Sequence, residues 1–114
     1  MATPTATYRQ RGDEIDYTPG TAVTGGDVIV IGEIVAVATR AIAADAKGSV
    51  TVEGVVRFPK AETSGSAITA GAKCYWDATN SVITTTASTH KVAGYCVAAA
   101  ADDDATVDVK LARA

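Results

Sequence analysis

The chain has 114 residues, a formal net charge of -3, 47% hydrophobic residues and only 5% aromatic ones. That length closes one hydrophobic core without metal or disulfide staples and leaves no room for a second full domain, and the scarcity of aromatics predicts a thin core rich in Val and Ala. The acidic balance excludes nucleic acid as a partner: such binders carry a clustered basic face, whereas Arg9 and Arg11 are followed at once by Asp13, Glu14 and Asp16.

No apolar run nears the ~20 residues that span a bilayer, and the opening MATPTATYRQ lacks the basic-then-apolar plan of a secretory signal. No membrane is therefore expected, and the chain reads as soluble and made in the cytoplasm. Residues 1–7 are small, polar and unpatterned and predict a flexible N-terminal arm; residues 8–114 predict a single β domain.

From Tyr8 to Tyr17 two short extended pieces are expected on either side of Arg11-Gly12-Asp13, with Thr18-Pro19-Gly20 as the stop. The β-branched run Asp27 to Ile31, the pair Gly32-Glu33 and the run Ile34 to Val37 predict a hairpin with a tight turn. Val50 to Phe58 alternates as one strand, with Val50, Val52, Gly54, Val56 and Phe58 on one face and Thr51, Glu53 and Arg57 on the other, and Pro59 ends it. Ala61 to Ala72 has at most one short helical turn. Lys73 to Trp76 and Ser81 to Thr86 predict a second hairpin. Lys91 to Ala99 reads as a strand buried on both sides, Val92, Gly94, Cys96 and Ala98 against Ala93, Tyr95 and Val97. Ala105 to Leu111 has one solvated face, carrying Asp108 and Lys110. The expected fold class is all-β, a small antiparallel β-sandwich or barrel. Ala22-Val23-Thr24-Gly25-Gly26 is echoed by Ala67-Ile68-Thr69-Ala70-Gly71, which reads as recurrent turn chemistry and not as a repeat.

The residues that carry chemistry are few. Cys74 and Cys96 lie among apolar neighbours and read as buried, reduced thiols. His90 reads as a solvent-facing loop residue, and an extended strand would hold it about 20 Å from Cys96, too far for a nucleophile and base. Pairing of His90 with Cys74, or of carboxylates from distant strands, stays open with nothing to support it. Asp102-Asp103-Asp104 lacks the spacing and central Gly of a calcium loop, zinc would need more ligands than these, and Gly71-Ala72-Lys73 misses the spacing of a phosphate loop. No catalytic residue, cofactor or metal is assigned. Trp76 and Tyr75 read as core and edge packing before recognition.

Several segments in order carry a resemblance: Gly12-Asp13-Glu14-Ile15-Asp16-Tyr17-Thr18-Pro19, Gly26-Asp27-Val28-Ile29-Val30, Val52-Glu53-Gly54-Val55-Val56-Arg57-Phe58-Pro59-Lys60-Ala61, Ile68-Thr69-Ala70-Gly71-Ala72-Lys73-Cys74-Tyr75-Trp76-Asp77 and Gly94-Tyr95-Cys96-Val97 leading to Leu111. Together they resemble the capsid cement, or head decoration, proteins of tailed bacteriophages, a family once labelled as predicted recombinases; that older label would need a nucleotide loop that this chain lacks. The resemblance implies a structural virion protein, not an enzyme, that binds the outside of the head and stabilises the expanded shell. The implied partners are the major capsid protein and further copies of the chain, a homotrimer before a dimer. Tyr8, Arg9, Arg11, Tyr17 and Trp76 are the candidate contacts with capsid or a neighbouring protomer; the first three give the arm an interface composition. A glycan- or host-surface-binding head domain, which predicts an exposed aromatic platform, is the alternative, and a small hydrolase, which predicts a cleft with a perturbed carboxylate or thiol, a more remote one.

Overall fold

The computed structural model describes residues 5–112, and every regular element among them is a strand. In chain order these are β1 (Glu14–Tyr17), β2 (Val28–Ile31), β3 (Ile34–Ala38), β4 (Gly48–Thr51), β5 (Gly54–Pro59), β6 (Lys73–Asp77), β7 (Val82–Thr84), β8 (Lys91–Cys96) and β9 (Thr106–Leu111). They form two antiparallel sheets, ordered β1-β4-β3-β2 and β5-β9-β8-β6-β7, that pack together as an all-β sandwich. The five-stranded sheet curls far enough that Lys60, just past β5, bridges to Ile83 of β7.

Both expected hairpins form. Ile31 faces Ile34 across Gly32-Glu33, with Gly32 at φ 60°, the left-handed conformation that a two-residue turn requires. Trp76 faces Ile83 in the β6–β7 hairpin.

Three expectations are corrected. Ordered strand begins at Glu14, not Tyr8; of the expected arm, residues 1–4 lie outside the described residues. The alternating run Val50 to Phe58 is two strands in different sheets. Val52 N–H donates to Asp13 O at 3.0 Å, and Gly54 at φ 106° redirects the chain into the second sheet, so Val50 and Phe58 end in different cores. In β8 the alternation breaks at Ala93, because Cys74 pairs with Gly94 while Tyr75 pairs with Val92, leaving Ala93 as the extra residue of a bulge. Ala93, Gly94 and Cys96 are consequently buried, while Tyr95 and Val97 face solvent; the strand is not buried on both sides.

The echo between residues 22–26 and 67–71 is also more than turn chemistry. Val23 and Ile42 exchange backbone hydrogen bonds as an isolated bridge, and Ile68 and Ala100 do the same. Gly26 N–H donates to Ala38 O, and Gly71 N–H to Cys96 O; the 43–46 and 101–104 turns close with the same bond, Ala46 to Ala43 and Asp104 to Ala101. Val28 pairs with Val37 and Ile29 with Ala36 as Lys73 pairs with Tyr95 and Cys74 with Gly94. The order β1-β4-β3-β2 thus recurs as β5-β9-β8-β6, with β7 added at the edge. The molecule consists of two halves built on one plan.

Each half closes a core at corresponding positions. In the first, Ile29, Ala36, Ala38, Ile42 and Val50 are buried, with Ile15, Tyr17, Val23 and Ile31 packed against them. The second buries Cys74, Trp76, Phe58, Cys96, Ala100, Ile68, Val109 and Leu111. Val35 and Val37 of β3 also belong to this second cluster, so the outer face of the first half covers the core of the second.

Candidate functional site

Described residues 5–13 have no strand pairing and are almost wholly exposed. Tyr8 is 79% exposed, Arg9 and Arg11 point into solvent, and Arg11 Nη2 lies 3.4 Å from Asp13 Oδ2 in a surface ion pair of little energetic weight. An aromatic ring and two guanidinium groups are thus displayed on an extended segment that the body does not cover. At its root an apolar cleft of about 270 Å³ opens between Gly12, Ile15, Ile34, Val52, Glu53, Leu111 and Ala112.

The other two candidate contacts are placed differently. Tyr17, on β1, is half-buried against the first core. Trp76 lies in the second core with its ring centroid 5.9 Å from that of Phe58, a tilted aromatic pair. The structure therefore groups Tyr8, Arg9 and Arg11 on one exposed segment and leaves Tyr17 and Trp76 apart from them. Tyr8 and Tyr95, the most exposed rings, sit on different segments, the arm and β8.

The polar clusters hold turns. Asp77 accepts from Thr79 N–H (3.0 Å), Asn80 N–H (3.1 Å) and Asn80 Nδ2 (2.8 Å), and these Asn80 bonds, with His90 nearby, hold its carboxyl below the usual range. His90 is not a solvent-facing loop residue: its ring is mostly covered, and Nε2 stands 3.9 Å from Asp77 Oδ2. Asp102 and Asp104 accept from Ala67 N–H and Ala101 N–H, so two of the three adjacent carboxylates anchor the loop. No group of three or more metal-ligating side chains occurs among the described residues. Cys74 and Cys96 are buried free thiols, and burial, reinforced by the neighbouring Cys96, pushes the Cys74 thiol up to about 11, far from a reactive thiolate at neutral pH.

Two features lay outside the reading of the sequence. Lys60 is only 4% exposed, and its ammonium donates to Ala61 O (2.6 Å), Ser66 Oγ (3.0 Å) and Asp102 O (3.2 Å), fastening the 61–67 linker to the acidic turn. A lysine beside Pro59 gives no hint of burial, because the Asp102 carbonyl that completes its acceptors comes from a distant segment. The second is the outer face of the five-stranded sheet, where Arg57 holds Asp108 through Nε (2.8 Å) and Nη2 (3.3 Å) and lowers its carboxyl pKa. Alternation in β9 pointed to this face, but Tyr95 and Val97 were hidden from it by the bulge.

An arm displaying an aromatic and two arginines, joined to a β body whose polar clusters serve turns, suits contact with another protein surface. Comparison with protein families matches residues 9–111 to the phage cement protein model. The chain belongs to the phage cement protein family. No curated protein and no solved structure matches it. Membership gives the chain a structural role in a phage capsid, and its place is the virion. The matched region takes in Arg9, Arg11, Tyr17 and Trp76 and begins one residue after Tyr8.

Proposed function

We propose that this cement protein binds the outside of the assembled head and stabilises the expanded shell, acting as a homotrimer on the major capsid protein after synthesis in the host cytoplasm. The observation that carries the reading is the match over residues 9–111 to a family of phage cement proteins. The exposed segment with Tyr8, Arg9 and Arg11 supports a contact role for the arm, since aromatic and arginine side chains are the residues enriched in interface cores.

The mechanism is mass action. A ligand that binds the expanded shell and not its precursor stabilises the expanded form by its differential affinity. An oligomer that engages several capsid subunits at once converts weak single contacts into a firm clamp. No bond is made or broken in the process.

The test is co-sedimentation of purified protein with expanded shells and with unexpanded precursors, followed by thermal disruption of the shells. Selective binding to expanded shells, with a higher disruption temperature, is the expected result. Equal binding to both forms, or binding without a rise in that temperature, overturns the reading.

A further inference from the structure

On the outer face of the second half, Val55, Lys110, Tyr95 and Lys73 are successive cross-strand partners on β5, β9, β8 and β6. At roughly 4.8 Å per strand this row is about 14 Å across. Beside it runs a second row, Arg57 paired with Asp108, and Val97, whose N–H donates to Asp108 O at 3.0 Å. Val55, Val97 and Tyr95 are 59%, 48% and 38% exposed, three of the five large exposed hydrophobics among the described residues. Single exposed apolar residues are ordinary on a protein surface; a contiguous set bordered by polar groups marks an interaction site. The face also carries three cations against one carboxylate, on a chain of net charge -3, so the rest of the chain is more acidic than the whole.

The corresponding face of the first half shows what such a surface does in this fold. Its β2–β3 part is formed by Val28 and Val30 of β2 and Val35 and Val37 of β3; Val35 and Val37 lie in the core of the second half and Val28 packs against it. In the second half Lys73 stands at the position of Val28, Tyr75 at that of Val30 and Tyr95 at that of Val37. The fold therefore uses this face once, within the chain, as a packing surface. Its second version has two tyrosines and a lysine where the first has valines, and at the neighbouring positions Lys110 and Arg57 stand where the first half has Thr51 and Asp16, a composition that tolerates water until a partner arrives.

We infer that the outer face of the second half docks a second copy of this chain, head to tail against that copy's acidic surface. The inference deepens the proposed function, resting on its self-association. A two-fold, face-to-face contact would bring the Arg57, Lys73 and Lys110 cations of one copy against the same cluster of cations in the other. A head-to-tail contact avoids this and, where the rotation closes, gives a ring such as a trimer.

Light scattering on a size-exclusion column decides it, run on the full chain, on Tyr95→Glu and on the double variant Lys73→Glu, Lys110→Glu, with circular dichroism to confirm folding. The unaltered chain is expected at a multiple of 11.5 kDa and both variants at the single-chain mass. Raising salt should shift the unaltered chain toward the single-chain mass, as screening weakens charge complementarity. Folded variants that keep the unaltered chain's mass overturn the assignment of this face while leaving an oligomeric cement protein intact. A single-chain mass for the unaltered protein at every concentration overturns the self-association of the proposed function and this inference together. Should Tyr95→Glu misfold, the lysine variant, altered only at side chains of the outer face, decides alone.

Discussion

Where the first half packs Ile29, Ile31, Tyr17 and Ala38, the second packs Cys74, Trp76, Phe58 and Cys96 at the same positions of the plan. The first core is small and closed by Val23 and Ile42; the second is larger, gains β7 at its edge and is covered by Val35 and Val37 from the other half. The difference also reaches the backbone. Position 36 of the first half is an alanine in a regular ladder, whereas its counterpart Gly94 lies beside the bulge, so close to β9 that a Cβ would stand 1.9 Å from Lys110 O. One plan thus serves two purposes: a compact half whose outer face is covered at Val35 and Val37 within the chain, and a heavier half whose outer face is left to solvent.

Glycine substitutions break the comparison most sharply. Gly94→Ala sets a methyl against the backbone of Lys110 and Ala112, which cannot move without parting β8 from β9, and is expected to cost more than about 4 kcal/mol and abolish soluble folded protein. Gly48→Ala in the first half meets the Ile42 side chain instead of backbone, 2.7 Å from its Cδ1 and Cγ1, so the buried isoleucine must shift while the strands stay paired; a cost of about 1–3 kcal/mol is expected. Soluble yield and denaturant melts of the pair check this.

The cores come next. Phe58→Ala should cost about 3–5 kcal/mol, because it empties a fully buried ring site beside Trp76. Tyr17→Ala, at the equivalent but half-exposed site, should cost about 1–2 kcal/mol. Equal losses in urea unfolding would show that the two cores are not unequal in weight.

Lys60→Met tests the fastening found only in the second half. It removes the ammonium donor from Asp102 O, Ala61 O and Ser66 Oγ, leaving the single Ser66 hydroxyl to serve the two carbonyls, and should cost about 1–3 kcal/mol, with faster proteolysis of the 61–67 linker.

The smallest effect is that of acid on the β6–β7 turn. The folded-state pKa of Asp77 lies below its unfolded value, so its contribution is present above the ordinary carboxylate range, about 4, and is lost as pH falls through the lowered folded value. Asp77→Asn should therefore lower the melting temperature slightly near neutrality and flatten its fall with pH below about 4, where the wild-type contribution is lost.

The legible parts of the fold were those that neighbours in sequence determine. The Gly32-Glu33 and Asp77-to-Asn80 turns sit between β-branched or aromatic runs, and their hairpins form at the expected residues. The alternation of Val107, Val109 and Leu111 with Asp108 and Lys110 reports which face of β9 is buried. Of the candidate site, the exposure of Tyr8, Arg9 and Arg11 was legible, because a segment with no apolar period has nothing to bury.

What the tertiary structure decided involves partners far apart in the chain. The alternation of residues 50–58 is the same whether they form one strand or two; only the pairing of β4 with β1 and of β5 with β9 divides them. A bulge at Ala93 leaves no mark on the composition of β8, yet it turns Tyr95 and Val97 outward. The echo at residues 22–26 and 67–71 became a repeat only when its hydrogen bonds to Ile42 and Ala100 were in view, since the halves share backbone geometry with little side-chain likeness. Sequence by itself determined the all-β class, the local turns and the family; the division into two halves, the burial of Lys60 and the uncovered face came from contacts between distant strands, whose energies no local pattern encodes.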